Sequence, residues 1–184
     1  MRIIGGIYRS RIISMPKGVR IRPTQDKVRQ AVFNIISDCS GRIVLDIFSG
    51  SGAFGIEALS RGASFVKFAD NDPRCLRAIA DNLNSLDIPG SRYALLRSDG
   101  SVIGDRLKNS GEKYDMVFMD PPYYDDLARI CLINLEYNNI ISDRGIVVVE
   151  HFKGDDLGGD PGRLVCLKKR RYGDTAISIF GRTR

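Results

Sequence analysis

A doubly wound α/β sheet, mostly parallel and ending in an antiparallel hairpin, is the fold class this sequence predicts, and three observations predict it. Short β-branched runs alternate with helix-period stretches from residue 42 to residue 150. The first run, Ile43-Val44-Leu45-Asp46-Ile47-Phe48, leads into Ser49-Gly50-Ser51-Gly52-Ala53-Phe54-Gly55, a glycine-rich turn that opens a helix. After residue 162 two alternating runs are joined by Gly173-Asp174, a tight-turn signal, so the sheet closes in a hairpin.

Ile3-Ile4 and Ile12-Ile13 flank Gly5-Gly6-Ile7-Tyr8-Arg9-Ser10-Arg11 and read as the two short strands of a basic hairpin. A helix over about 25–37 follows, with Thr24 as a fair N-cap. Val28, Ala31, Val32, Ile35 and Ile36 recur at helical spacing and give one buried face, with Lys27 and Arg29 off it. Residues 1–40 thus read as a basic hairpin-plus-helix extension leaning on the main sheet, and 41–184 as the domain that carries that sheet.

Within that domain, a strand over 42–48 precedes a helix over 52–61 closed by Gly62 at C′. A second strand, 64–70, runs into Asp70-Asn71-Asp72, and Pro73 opens a helix to about 86 with Leu76, Ile79, Ala80 and Leu83 as its apolar stripe. A third strand, 93–97, gives way at Ser98-Asp99-Gly100 to a weak helical segment through 108. The fourth, 114–119, runs into Asp120-Pro121-Pro122-Tyr123, then come a helix over about 125–137 and a fifth strand over 145–150. Past a polar loop at 153–162, the hairpin runs are 164–172 and 175–180.

Composition narrows the function. The 184 residues are 43% hydrophobic and 27% charged, enough for one domain with a core and a modest appendage. No run is long enough to span a bilayer, and Met1-Arg2-Ile3-Ile4-Gly5-Gly6 lacks a signal-peptide core. Cys39, Cys75, Cys131 and Cys166 form no C-x-x-C pair and His151 is the single histidine, so no metal site or disulfide framework is expected, which points to a cytoplasmic setting. The net charge of +6 is uneven: residues 1–30 hold eight Lys and Arg against Asp26, a net +7, so the remainder is near neutral. Such asymmetry fits a polyanion, most simply nucleic acid, met by one face; the alternative is a solvated face kept basic for solubility.

Gly50, Gly52 and Gly55 satisfy G-x-G-x-x-G, and Asp70 lies 20 residues after Gly50, a pattern that fits NAD as well as S-adenosylmethionine. Asp46 separates the two. A carboxylate beside the glycine turn repels a dinucleotide pyrophosphate, whereas S-adenosylmethionine has no phosphate and carries an ammonium and a sulfonium. Asp70, Asp99 and Asp120, also at expected strand ends, strengthen the cationic reading, while a helix or turn cap is the alternative use of Asp46. At the end of the fourth strand, two prolines without N–H groups make a rigid segment that offers carbonyls and the Asp120 side chain as acceptors. Asp120 and the Pro121 carbonyl can take both hydrogens of an exocyclic amine while Tyr123 stacks on its ring; a Pro-Pro turn with an incidental tyrosine is the bland reading.

Asp46-Ile47-Phe48-Ser49-Gly50-Ser51-Gly52 together with Asp120-Pro121-Pro122-Tyr123 resembles the class of S-adenosylmethionine-dependent methyltransferases acting on exocyclic or amide nitrogens. Arg2-Ile3-Ile4-Gly5-Gly6, Arg22-Pro23-Thr24, Asp26-Lys27-Val28-Arg29, Phe33-Asn34 and the final Arg171-Tyr172-Gly173-Asp174-Thr175 resemble the RsmD family, bacterial enzymes that methylate guanine N2 in small-subunit (16S) ribosomal RNA. The resemblance implies a Rossmann-like methyltransferase sheet. It implies that Asp46, Gly50 and Gly52 line the methionine end of the cofactor, with Phe48 and Asn71 also in the cofactor site, Asp70 on the ribose and Asp99 at the adenine amine. Asp120, Pro121 and Tyr123 would hold the target guanine, and Arg9, Arg11, Arg20, Arg22, Lys27 and Arg29 would lie on the RNA side. Family members often carry Glu at the second strand end, where this chain offers Asp70 or Asp72, and Asp70 is preferred because it ends the apolar strand. A monomer acting on 16S ribosomal RNA or an assembling small subunit, without metal or membrane, is therefore expected. The alternatives are an adenine-N6 DNA or protein glutamine methyltransferase with the same motif, or an RNA-binding module that lost activity.

Overall fold

The strands expected from residue period are present as β1 (Ile43–Ile47), β2 (Phe65–Asp70), β3 (Tyr93–Arg97), β4 (Tyr114–Met119), β5 (Ile141–Phe152), β6 (Leu164–Tyr172) and β7 (Thr175–Arg182). The computed structural model describes residues 1–19, 26–36, 38–122, 126–157 and 163–182. One sheet results, in the order β3-β2-β1-β4-β5-β7-β6, with β1 to β5 parallel and β7 antiparallel to both its neighbours. The hairpin therefore does not simply extend the sheet in chain order: β7 inserts between β5 and β6. Burial explains this, since β7 is buried along almost its whole length while β6 is exposed along most of its own. Only the apolar strand can take the interior place. β5 begins at Ile141, earlier than its apolar run, because Tyr114 pairs with Ile141 ahead of a register irregularity.

Helices α1 (Asp26–Ile36), α2 (Ala53–Ser60) and α3 (Pro73–Ser85) cover one face of the sheet, and α4 (Ile103–Leu107) and α5 (Leu127–Tyr137) the other. Alternation divides the strands between the two layers. Val44, Val66, Phe68, Met116, Phe118, Val148, Ile177 and Ile179 join the α1–α3 layer; Leu45, Ile47, Val117, Met119, Val147, Val149 and Phe180 join the α4–α5 layer.

The N-terminal hairpin is present but short: its arms pair around the Arg2–Ile12 bridge, with Met1 and Ile13 exchanging hydrogen bonds and Ile3 N–H donating to Arg11 O. The hairpin itself leans on helices, while α1 packs on the sheet through Phe33 and Phe118. Ile7 N–H donates to Ser60 O (2.8 Å), Tyr8 N–H to Ser60 Oγ (2.9 Å) and Ser14 N–H to Asn82 Oδ1 (2.8 Å). Gly6 makes this approach possible: its φ is +74° and a Cβ there would stand 1.9 Å from Ser60 O.

α1 buries Val28, Arg29, Val32 and Phe33, so its inner face is turned from the expected stripe. Arg29, expected off that stripe and on the RNA side, is 1% exposed. Its guanidinium donates to the Arg2 carbonyl and Met1 Sδ and lies 3.9 Å from Glu57, which is itself fully buried in α2. Glu57 also accepts from Ile4 N–H (2.8 Å) and Arg61 Nε (2.8 Å). One carboxylate thus ties the N-terminal segment, α1 and α2 together. Removing one member of a buried charged pair strands the other, so Glu57→Ala is expected to cost about 3–5 kcal/mol in urea unfolding and to speed proteolysis within residues 1–13, with Glu57→Gln milder because it still accepts from Ile4. Equal stability of the Ala variant and the parent would refute this role.

Candidate active site

The carboxyl ends of β1, β2 and β4 lie side by side, since Ile47 pairs with both Ala69 and Met119. The residues that follow, Phe48, Asp70 and Asp120, therefore emerge together, where parallel α/β sheets place ligands. Between β1 and α2 the chain makes the glycine turn, with Gly50 at φ 54° and Gly52 at φ 78°. Phe48 also has a left-handed φ of 58°, an unusual conformation for an aromatic residue and one typical of strained functional loops. Gly55 serves packing: a Cβ there would meet Phe68 Cε1 at 2.2 Å, so α2 lies tightly on β2.

Two carboxylates hold the turn. Asp46, 3% exposed, accepts from Gly55 N–H at 3.0 Å and supplies the helix cap that Gly52 lacks. Asp70, 8% exposed, accepts from Gly50 N–H at 2.9 Å through Oδ2 and from Asp72 N–H at 2.9 Å through Oδ1. Ser49 Oγ donates to Asp46 O (2.6 Å) and lies 3.0 Å from Ala69 O, fastening β1 to β2. Burial pushes the Asp46 carboxyl well above the usual carboxylate range, against the Gly55 bond that lowers it and with help from the charges of Asp120 and Asp70. Asp72 is employed elsewhere: it caps α3 through Arg74 N–H (2.8 Å), and its bonds to the Arg74 side chain hold it down at about 2.

Asn71 and Asp99, with Arg97, Ser98, Val102 and Arg106, line an adjoining cavity of about 360 Å³ beyond β2 and β3, within the size range of small-molecule sites. Asp99 is exposed and accepts from both the hydroxyl and the N–H of Ser101, which lower its pKa. The Phe48 ring packs against Gly100, next to Asp99 in the chain, so closely that a Cβ there would lie 2.3 Å away. Asp46, Phe48, Gly50, Gly52, Asp70 and Asp120 thus gather at one sheet end, and Asn71 and Asp99 adjoin them. Pro121 is buried next to Asp120; Tyr123 lies outside the described residues.

The family model described as "Conserved hypothetical protein 95" matches residues 1–181. The chain is 32% identical to YlbH of Bacillus subtilis over 98% of each protein. It is 31% identical to the Ribosomal RNA small subunit methyltransferase D of Escherichia coli over 99% of this chain and 90% of that one. The chain belongs to the RsmD family. As a family member it is a methyltransferase, and its fold agrees: the solved yhhF structure of Escherichia coli superposes with a TM-score of 0.83 at 28% identity, covering 99% of this chain and 97% of that one.

The basic residues of this RsmD-family chain are spread more widely than their sequence grouping suggests. Arg9 and Arg11 are exposed, but they sit beside the carboxyl ends of α2 and α3, where the segment bonds Ser60 and where Arg11 Nη2 donates to Ser85 O (2.7 Å). That is the end of the sheet opposite Asp120. The segment returns toward the Asp120 end of the sheet at Gly18, whose carbonyl accepts from Arg74 Nη1 (3.0 Å). Lys27 is exposed on α1, Arg29 is internal as described, and Arg20 and Arg22 lie outside the described residues.

Two residues that position the site went unnoticed in the sequence. Asn82, buried in α3, donates to Ser51 O of the glycine turn (3.1 Å) and to Ser14 O (3.0 Å); its signal was a polar residue beside the apolar stripe. Glu57 was likewise marked as the one charge in Ala53-Phe54-Gly55-Ile56-Glu57-Ala58-Leu59.

Because the folded pKa of Asp46 lies above its ordinary value of 3.8, the stability it contributes is complete below that pH and is lost as pH rises through the folded value. Asp46→Asn keeps an acceptor for Gly55 N–H and cannot ionise. The stability of the variant relative to the parent is therefore expected to grow with pH above about 4 and then level off, as read from denaturant unfolding between pH 4 and 9. A difference that stays flat would place the Asp46 carboxyl in the ordinary range.

Proposed function

We propose that this chain transfers a methyl group from S-adenosylmethionine to the exocyclic N2 amine of a guanine in small-subunit ribosomal RNA. The observation that carries the reading is the convergence of Asp46, Asp70 and the half-buried Asp120 around the glycine turn, an acidic site suited to a ligand that is cationic and lacks phosphate. Asp70 accepts one N–H on each oxygen and keeps lone pairs for ribose hydroxyls, whereas the pairing of Asp72 with Arg74 speaks against Asp72 in that role. Asn71 and Asp99 suit the adenine, in the cavity they help to line.

When bound, S-adenosylmethionine supplies a methyl group on a sulfonium, already a good leaving group. The work left to the protein is positioning. Asp120 and the Pro121 carbonyl accept hydrogen bonds from the two N–H groups of the amine and orient its lone pair; as the N–C bond forms and the C–S bond breaks, the Asp120 carboxylate takes the proton that the nitrogen loses. Tyr123, two residues on in the sequence, is the aromatic that would stack on the base. The four free thiols fit a reducing, cytoplasmic setting. The small-subunit substrate follows the name of the 31%-identical relative, and guanine N2 follows the family resemblance.

The test is methyl transfer from labelled S-adenosylmethionine to small-subunit ribosomal RNA, naked and in partly assembled particles, with nucleoside analysis of the product. Labelled N2-methylguanosine is the expected result; bound cofactor without transfer to either form would sink the substrate assignment. Asp120→Ala is expected to lower transfer at least about 100-fold while changing cofactor affinity little, because Asp120 serves the acceptor amine. Full activity of that variant would remove Asp120 from the mechanism.

A further inference from the structure

Residues 168–171, Lys168-Lys169-Arg170-Arg171, form a second basic run, in the edge strand β6. All four are exposed, and none is in an ion pair among the described residues, whereas the nearby Lys153, Arg163 and Arg182 are paired with Asp174, Glu136 and Glu136. Charge on an edge strand guards against edge-to-edge association, and that role is indifferent to which sheet face each cation occupies. The register here is not indifferent.

Arg170 pairs with Ile177 and Ile177 with Glu150; Val149 pairs with Met119, so Glu150 stands level with Asp120 one residue beyond. Arg170 therefore lies in the same row as Asp120, three strand spacings or about 14 Å across the sheet. Lys168 pairs with Ile179, and Ile177 and Ile179 belong to the α1–α3 layer, as does Phe118, two residues before Asp120. Asp120, Arg170 and Lys168 thus share one face, and Tyr172 packs against the same layer. Lys169 and Arg171 pair with Ser178 and Ala176 and point to the other face, where Lys169 lies near buried His151. Past the Asp120 row, Tyr172 and the Gly173-Asp174 turn rise about 7 Å further along the strand direction.

We propose that Lys168 and Arg170 form a backbone-binding arm of the RNA site, gripping phosphates that flank the target nucleotide on the β6 side. This rests on the RNA methyltransferase reading. Arg170 is level with the acceptor site, whereas Arg9 and Arg11 lie at the other end of the sheet, so β6 supplies cations close to the chemistry that the described N-terminal arginines do not.

The test compares binding of protein-free 16S ribosomal RNA across 50–200 mM salt for the parent, for Lys168→Gln/Arg170→Gln and for Lys169→Gln/Arg171→Gln, each checked by thermal melting. Each phosphate contact adds roughly 0.7–0.9 to the slope of log affinity against log salt, so the first pair is expected to flatten the slope by about 1.4–1.8 and the second far less. Lys168→Arg/Arg170→Lys, which keeps both charges, is expected to retain the slope. Equal losses in the two Gln pairs, or no loss in the first, would overturn the arm and leave edge protection. A parent with no salt-dependent RNA binding would overturn the RNA reading itself, and the arm with it.

Discussion

The glycine turn between β1 and α2 is held from both sides by carboxylates, and the site depends on that grip. Asp46 reaches forward to Gly55 N–H and Asp70 reaches across from the next strand to Gly50 N–H. Backbone donors at a helix start are often left for a phosphate to satisfy; here carboxylates already occupy two of them. The turn is therefore pre-formed, and its electrostatic preference is inverted relative to a dinucleotide site. The arrangement has a cost, visible in the upward push on the Asp46 carboxyl by burial and by its acidic neighbours. A cationic ligand offsets that cost and a phosphate adds to it, so the same geometry that fixes the turn selects what may sit on it.

The N-terminal segment is a brace for this site as much as a basic surface. Phe33 of α1 lies 5.5 Å from Phe118 of β4, and Phe118 stacks on Phe54 of α2 at 5.1 Å, so α1, the first turn of α2 and the strand that delivers Asp120 share one aromatic cluster. Asn82 joins Ser14 to the glycine turn from the other side. Movement of the segment would reach both halves of the site through packed contacts.

The sheet was legible in the sequence because its signals are local: β-branched runs, a glycine turn, a proline opening α3 and a Gly-Asp hairpin. The placement of β7 between β5 and β6 was not, since strand order depends on which runs bury both faces, and period alone does not report that. The cluster of Asp46, Asp70 and Asp120 was legible as three strand ends, although the capping use of Asp46, an alternative at the sequence level, coexists with its place in the acidic site. Charge counting misjudged the N-terminal segment. Arg29 has the composition of a surface residue, but Glu57 and two neighbours on the segment draw it inside. Arg9 and Arg11 are separated from the site by the length of the helices they lie against, a distance that sequence does not state. The left-handed φ of Phe48 had no local signal at all.

A concentrated acidic centre and a basic chain pose an opposition that geometry resolves. Phosphates brought near Asp46, Asp70 and Asp120 would face a cluster of acidic groups in a partly desolvated place, where repulsion is least screened and where added negative charge is costly. On the proposed RNA reading, the backbone would stay at the periphery, on the side of the β6 cations, while only a neutral base enters. A base inside a duplex could not reach that far from its own backbone, so the proposed target nucleotide would be unpaired or turned out of its stack. The separation of charge between centre and rim thus does more than attract a polyanion: it admits the base and keeps the backbone out.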